Sequence, residues 1–232
     1  ANVHYFKNFI FQMEKEGHSV KISARNKDVS FKLLNAYNLK YIDFGKGNVG
    51  NGAIGKMLYL IFASFRFFLL FMKNKPNIVL SFGSAPLAFV AYLFSVPHIS
   101  FDDTEHAKLN KKLYVPITPL VISPSCFYDN LGSNHFRFNG YMELFYLHKN
   151  RFKPNNTVLE ELNISEGETF TLFRFVSWEA FHDIGQKGLN LKERIDLVKE
   201  AKKYGKVFIS SEGKLPEELK DYEIHIQPEK LH

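Results

Sequence analysis

Residues 78–106, IVLSFGSAPLAFVAYLFSVPHISFDDTEH, hold a complete βαβ unit and so restrict the chain to folds built on a parallel sheet. Residues 78–82 are β-branched and apolar, and Gly83-Ser84 breaks the run. Residues 85–94 carry no charge, place Pro86 where a first helical turn tolerates it, and stop before Val96-Pro97, the pattern of a buried crossover helix. Residues 98–101 predict a second strand, and Asp102, Asp103, Thr104, Glu105 and His106 follow it in a row. In open parallel α/β sheets ligands sit beyond the carboxyl ends of the strands, so Gly83-Ser84 and residues 102–106 are expected to share one crevice.

The rest of the chain continues the alternation. Phe6, Phe9, Ile10 and Met13 fall at the spacing of an amphipathic helix over 5–16, which Gly17 stops. Residues 19–24 predict a strand, 29–37 a helix with Asn38 as its cap, and 40–44 a strand. Beyond residue 106 a basic helix is expected over 108–114, a strand-like run broken by three prolines over 116–124, and a short strand over 136–138. Polar residues and proline concentrate in 149–156, KNRFKPNN, which suits a domain boundary, giving domains 1–148 and 149–232. The second domain predicts a helix at 158–162, a strand at 169–176, a polar loop, an amphipathic helix at 191–204, a strand at 206–210, a short helix at 217–221 and a strand at 223–226.

Charge is unevenly spread. Residues 1–150 hold 17 Lys+Arg against 9 Asp+Glu, a balance of +8, whereas residues 151–232 hold 13 against 15, a balance of −2, so the basic character belongs to the first half. No acidic residue lies between Asp43 and Asp102, a gap containing Lys46, Lys56, Arg66, Lys73 and Lys75. Such a surface suits phosphate-bearing ligands, anionic lipid or nucleic acid, and composition does not choose among them. Within the gap, residues 45–55 are glycine-rich and read as a connector, since Met57 follows Gly55-Lys56 where a phosphate-binding loop needs a hydroxyl. Residues 57–72 follow, polar only at Ser64 and Arg66, and as a helix their apolar arc exceeds the roughly 100° of one packed face. That run is shorter than the ~20 residues needed to span a bilayer. It reads first as a crossover helix buried under neighbours and second as a helix in a membrane interface, with Lys56, Arg66, Lys73 and Lys75 toward anionic headgroups.

The single cysteine, Cys126, excludes an internal disulfide and favours a reducing compartment, and the N-terminal residues lack the layout of a signal peptide. The 24 Phe and 11 Tyr sit mostly at core spacings and no nucleic-acid-binding signature appears, so no nucleic-acid partner is expected.

Two polar clusters are candidates for chemistry. Asp102, Asp103, Glu105 and His106 place three carboxylates and an imidazole within five residues; mutual repulsion and an adjacent imidazole are what tune a general base toward neutral pH. A solvated acidic turn is the alternative. The residues are too consecutive to present a metal ligand set, and no metal is expected. Arg174, Glu179, His182, Asp183 and Lys187 form the second cluster, in which arginine can hold a phosphate with paired donors and Lys187-Gly188 lets backbone approach an anion.

The segments NVHYFKNF, SFGSAPLA, FDDTEHA, NGYMELFYLH and RFVSWEAFHDIGQKG, in that order, resemble the domain-of-unknown-function family numbered 354 across nearly the whole chain. That family is similar in architecture to GT-B glycosyltransferases and to non-hydrolysing sugar-nucleotide 2-epimerases. The resemblance implies an α/β fold of two Rossmann-like domains with the active site between them. It also implies a strand and loop before Val3-His4, placing His4 at the end of a first strand, and more of the second domain after His232.

Under this resemblance the first domain takes a glycan or lipid-linked acceptor and touches membrane, with Asp103, Glu105 or His106 as the base. The second holds a nucleotide sugar as substrate, without a further cofactor, through Arg174, His182, Asp183 and Lys187, and His4, Gly83 and Ser84 approach the ligand. The expected function is transfer from a nucleotide-activated sugar in surface polysaccharide or glycolipid biosynthesis, in the cytoplasm or at the inner face of the membrane. A 2-epimerase is the alternative, although such enzymes usually carry an acidic residue where this chain has Ser81-Phe82-Gly83-Ser84; a non-catalytic sugar-nucleotide or glycan-binding protein is the third reading.

Overall fold

The computed structural model describes residues 2–27, 29–46, 52–175, 188–211 and 213–231, with backbone alone for Lys46, residues 52–54 and Lys56. The chain divides into two compact units, Ala1–Phe152 and Lys153–His232, so the division falls within the polar stretch 149–156.

In the first unit, helices α1 (Asn2–Lys15), α2 (Ser30–Ala36), α3 (Gly52–Lys73), α4 (Ala85–Leu93), α5 (Lys108–Tyr114) and α6 (Leu144–Leu147) alternate with strands β1 (Ile22–Asn26), β2 (Tyr41–Lys46), β3 (Val79–Phe82), β4 (His98–Phe101), β5 (Leu120–Pro124) and β6 (His135–Phe138). Every described strand pairing is parallel: β1 with β2 in one sheet, and β3-β4-β5-β6 in chain order in another. Helices bridge the two sheets. Val3, Phe6 and Ile10 of α1 pack with Leu34, Leu39 and Ile22 around the first sheet, while Tyr5 stacks on Phe82 and Phe6 meets Phe101 at the second. On the other side Phe67 and Phe71 of α3 join Phe44 of β2 to Leu87, Val90 and Ala91 of α4, with Val79 of β3 against them. Contacts of α3 with α4 and α4 with α5 make one helix layer; α1 with α2 and α6 makes the other.

Helices end where a left-handed residue lets the chain turn. Asn38 (φ 54°) after α2 and Ser95 (φ 51°) after α4 take that role without glycine, and the next amides, Leu39 and Val96, close six-residue turns onto Leu34 and Ala91 at 2.9 and 2.8 Å. Both followers are buried, so each turn also delivers an apolar residue into the core ahead of a strand.

Three local expectations change. Helix α3 begins at Gly52 rather than Met57 and takes in part of the glycine-rich connector, reaching 22 residues. Only one side of it is covered: Ala63, Phe67 and Phe71 are buried while Ile61, Phe62, Phe65, Leu69 and Met72 are 50–65% exposed, so it is not a helix buried all round. Among the described residues no helix is long and apolar enough to cross a membrane. The proline-broken run resolves into a 3₁₀ turn at Val115–Ile117 and a strand that starts only after Pro119, whose missing N–H cannot join a ladder.

The second unit contains α7 (Thr157–Glu161), β7 (Phe170–Phe175), α8 (Leu191–Ala201) and β8 (Lys206–Ser211). β7 and β8 pair in parallel, Arg174 opposite Ser210, over a core of Phe175, Val198, Val207, Ile209, Leu215 and Leu219. Asn190 and Glu193 form a reciprocal capping box that starts α8. The strand expected at 223–226 is reduced to a single bridge between Glu223 and Ile209, held by the Ile224 amide on the Ile209 carbonyl.

Candidate functional site

Polar side chains gather at the carboxyl ends of β3, β4, β5 and β6 in the first unit. Side-chain alternation sorts them. Ser81 and Ser100, paired in register, turn toward α4 and α5, whereas Phe82 and Phe101, the next pair, turn toward α1.

Beneath the Gly83-Ser84 loop runs a buried relay. Thr118 Oγ1 donates to the Tyr114 carbonyl at 2.7 Å, so it accepts from His98 Nδ1 at 3.0 Å; Nε2 therefore accepts the Ser81 hydroxyl at 2.9 Å, and Ser81 Oγ in turn accepts the Ser84 amide at 3.3 Å. This directionality assigns the Nδ1–H tautomer and a neutral ring. Burial pushes the His98 imidazole down to about 4. Gly83 is fixed as well: its amide donates to Ser100 Oγ at 3.1 Å and its carbonyl accepts Asn110 Nδ2 at 2.7 Å. Both amides of the loop are thus spent inside the fold, and what Ser84 offers outward is its side chain, at the N-cap position of α4 without capping the helix.

The cluster at 102–106 separates into distinct roles. Asp102 is 4% exposed and structural: it accepts the Tyr114 hydroxyl on one oxygen and the Thr104 amide, at 2.8 Å, on the other. Glu105 accepts the Tyr128 amide at 3.1 Å, and its carbonyl takes Lys111 Nζ at 2.5 Å. Lys111, buried in spite of its charge, also pairs with Asp129, so it ties the 102–106 loop to the loop after β5. His106 is exposed. Asp103 is half-buried, its oxygen accepting the Thr104 hydroxyl at 3.0 Å. Burial, against the Thr104 hydrogen bond and with the Asp102 and Glu143 charges adding to it, raises the Asp103 carboxyl above its usual range.

Tyr5 of α1 completes this group. It lies flat against Phe82 with centroids 5.4 Å apart and is bordered by Phe145 and Tyr146. Burial, then the Asp103 and Glu143 carboxylates, raise its phenol well above the usual value, and Glu143 is its hydrogen-bond partner. Tyr5 and Asp103, each raised by burial and by the Glu143 carboxylate, therefore form one group with Glu143 at the mouth of β4, and the sequence reading singled out Asp103 alone. Tyr5 and Glu143 stand 98 and 40 residues from Asp103 in the chain, and the available signal was that NVHYFKNF and NGYMELFYLH both belong to the family pattern.

His4 sits differently from its expected place. It lies in the first turn of α1, not at the end of a strand, and is 8% exposed; its ring stacks on Tyr146 at 5.0 Å and Nδ1 meets the Tyr37 hydroxyl at 3.1 Å. Arg66 donates to the Asp43 carbonyl at 2.6 Å and lies over the Phe44 ring at 4.3 Å, while Lys73 and Lys75 are exposed. The Lys56 side chain lies outside the described residues. In the second unit Arg174 projects from the exposed face of β7, one residue before the carboxyl end of the strand. His182, Asp183 and Lys187 lie outside the described residues. Among the described residues no group of three or more His, Cys, Asp or Glu side chains converges as a metal site.

Parallel strands alternating with helices, in two units, with polar loops at the strand carboxyl ends, define a GT-B-like α/β protein. The chain belongs to the family described as "Protein of unknown function (DUF354)", whose model matches residues 1–223. An uncharacterized protein of Methanocaldococcus jannaschii, MJ0665, is 26% identical over 181 residues, covering 75% of this chain and 52% of the relative. Among solved structures, the UDP-GlcNAc 2-epimerase of Neisseria meningitidis bound to UDP-GlcNAc is similar with a TM-score of 0.61 at 11% identity, covering 94% of this chain and 64% of that one. The UDP-GlcNAc 2-epimerase of Methanocaldococcus jannaschii has a TM-score of 0.59 at 15% identity, covering 95% and 65%. At these identities the likeness is one of fold. The chain spans about half the length of the curated relative it matches and under two thirds of these structures.

Proposed function

We propose that the protein transfers a sugar from a nucleotide sugar to a hydroxyl of a glycan or lipid-linked acceptor in surface polysaccharide or glycolipid synthesis, with Asp103 as the base. The observation that carries this reading is the Asp103 carboxylate, half-buried at the carboxyl end of β4 and raised by burial and by Asp102 and Glu143. A carboxylate made more basic in this way is suited to take the acceptor hydroxyl proton as the acceptor oxygen bonds to the anomeric carbon and the bond to the diphosphate breaks, the nucleoside diphosphate leaving with the bonding electrons. Tyr5 and its aromatic neighbours give an apolar wall beside Asp103, of the kind on which a sugar ring packs. Arg174 in the second unit is suited to hold the diphosphate through paired donors. Activity is expected on the cytoplasmic side, where nucleotide sugars are made.

Transfer is favoured over 2-epimerisation by the loop after β3. Ser81 is buried and committed to His98 and Ser84, so the loop presents no titratable side chain to abstract a carbon-bound proton.

Nucleotide sugars screened by thermal shift should include one that raises the melting temperature, because a ligand of the native state stabilises it. With that donor and a glycolipid extract as acceptor, Asp103→Asn should keep donor binding and lose about 100-fold or more in nucleoside diphosphate release. Unchanged release in Asp103→Asn, Glu105→Gln and His106→Asn alike overturns the assignment.

A further inference from the structure

The helix layer made by α3, α4 and α5 turns an apolar face outward. On α3, Leu58, Ile61, Phe62, Phe65, Leu69 and Met72 recur at helical spacing and are 50–65% exposed. Phe89, Tyr92 and Leu93 continue it on α4 at 54, 66 and 56%, and Leu109 and Leu113 on α5 at 69 and 45%. Because α3 packs on α4 and α4 on α5, these outward faces adjoin. Isolated exposed apolar residues are ordinary; a strip across three neighbouring helices marks a contact surface.

The charges decide what the surface meets. Helices α3, α4 and α5 contain six Lys or Arg and no Asp or Glu. Lys73, at the end of α3, and Lys75 just beyond it are exposed, as are Lys108 and Lys112 on α5. A second copy of the chain docked through the same face would set these lysines near their own counterparts with no carboxylate in the layer to answer them. An anionic lipid surface answers them with its headgroups and accepts the apolar side chains at the boundary with the acyl region. Arg66 contributes less, since its guanidinium is held on the Asp43 carbonyl and the Phe44 ring.

We propose that the outer face of α3, α4 and α5 lies flat on an anionic membrane surface, without crossing it. This placement stands apart from the sugar chemistry, so the experiment uses no nucleotide sugar. The full chain is floated with vesicles of phosphatidylcholine alone and with vesicles containing equimolar phosphatidylglycerol. Binding is expected only to the anionic vesicles and should fall as salt is raised. The triple change Lys73→Glu, Lys108→Glu and Lys112→Glu, at exposed positions, should cut the bound fraction by about tenfold or more with an unchanged melting curve. Phe62→Ser with Phe65→Ser should abolish flotation even at low salt. No flotation with anionic vesicles, flotation indifferent to lipid charge, or a dimer in sedimentation that the serine changes dissociate while vesicles bind nothing, overturns the proposal.

Discussion

The Nε2 of His98 accepts the Ser81 hydroxyl at 2.9 Å in a position where the imidazole is 1% exposed. Through that contact a residue at the start of β4 sets the loop that follows β3, because Ser81 Oγ also holds the Ser84 amide. Removing the ring by His98→Ala leaves the buried Ser81 hydroxyl without its acceptor, takes a donor from Thr118 Oγ1, which keeps its bond to the Tyr114 carbonyl, and opens a cavity. A loss of ~2–4 kcal/mol in urea unfolding is expected.

The same residue dictates how stability responds to acid. Its value falls from 6.5 to about 4 on burial, so between those pH values the unfolded chain binds a proton that the native chain does not. Stability therefore decreases as the pH is lowered through that window, by up to ~1.4 kcal/mol per pH unit. Asp103 has the opposite sign: its raised carboxyl adds stability below the unfolded value that is lost as the pH rises. Unfolding of wild type and His98→Gln across pH 4 to 6.5 separates the two, and the variant should show the shallower dependence.

Gly83 is a position where side-chain bulk is excluded by conformation and space together. Its φ is 57°, and a Cβ would stand 3.3 Å from Asn110 Nδ2 and 3.6 Å from the Tyr114 ring. Gly83→Ala is expected to cost ~1–2 kcal/mol, read from the urea midpoint.

Asp103 should behave as a reactive group and not as a structural one. Asp103→Asn removes a half-buried charge, so thermal denaturation should show an unchanged or higher melting temperature while turnover falls. A falling melting temperature with turnover intact would mark a structural carboxylate.

Glu143 lies near enough to raise the Asp103 carboxyl. Glu143→Gln takes away that repulsion, lowers the Asp103 value and should move the acid limb of the pH–rate profile to lower pH. Calorimetric titration of the same variant with the donor should show binding retained.

Much of this arrangement is legible in the chain. The βαβ unit over 78–106 is local, and its apolar runs, Pro86 and Val96-Pro97 predict strand, helix and strand at the places where β3, α4 and β4 lie. The carboxylate cluster after β4 is equally plain as text. What the residue string does not say is which carboxylate does what. Asp102 and Asp103 are adjacent and identical in type, yet the first is consumed by Tyr114 and the second is left near Tyr5 and Glu143. Strand alternation sends neighbouring residues to opposite faces of a sheet, and only the packing of α5 on one face and α1 on the other sets their partners.

Helix α3 shows the same limit in another form. Its hydrophobic arc is wider than one packed face needs, which periodicity reveals, but periodicity cannot say which part is covered. The covered part is set by where α4 and β2 lie, and it leaves Ile61, Phe62 and Phe65 outside. The sequence by itself determined the alternation of strand and helix, the basic first half with its acid-free stretch between Asp43 and Asp102, and the polar loops, because these are local or additive properties. Tertiary structure decided the relay from Ser81 through His98 to Thr118 and the grouping of Tyr5, Asp103 and Glu143, because each joins side chains far apart in the chain whose directions depend on what packs beneath them.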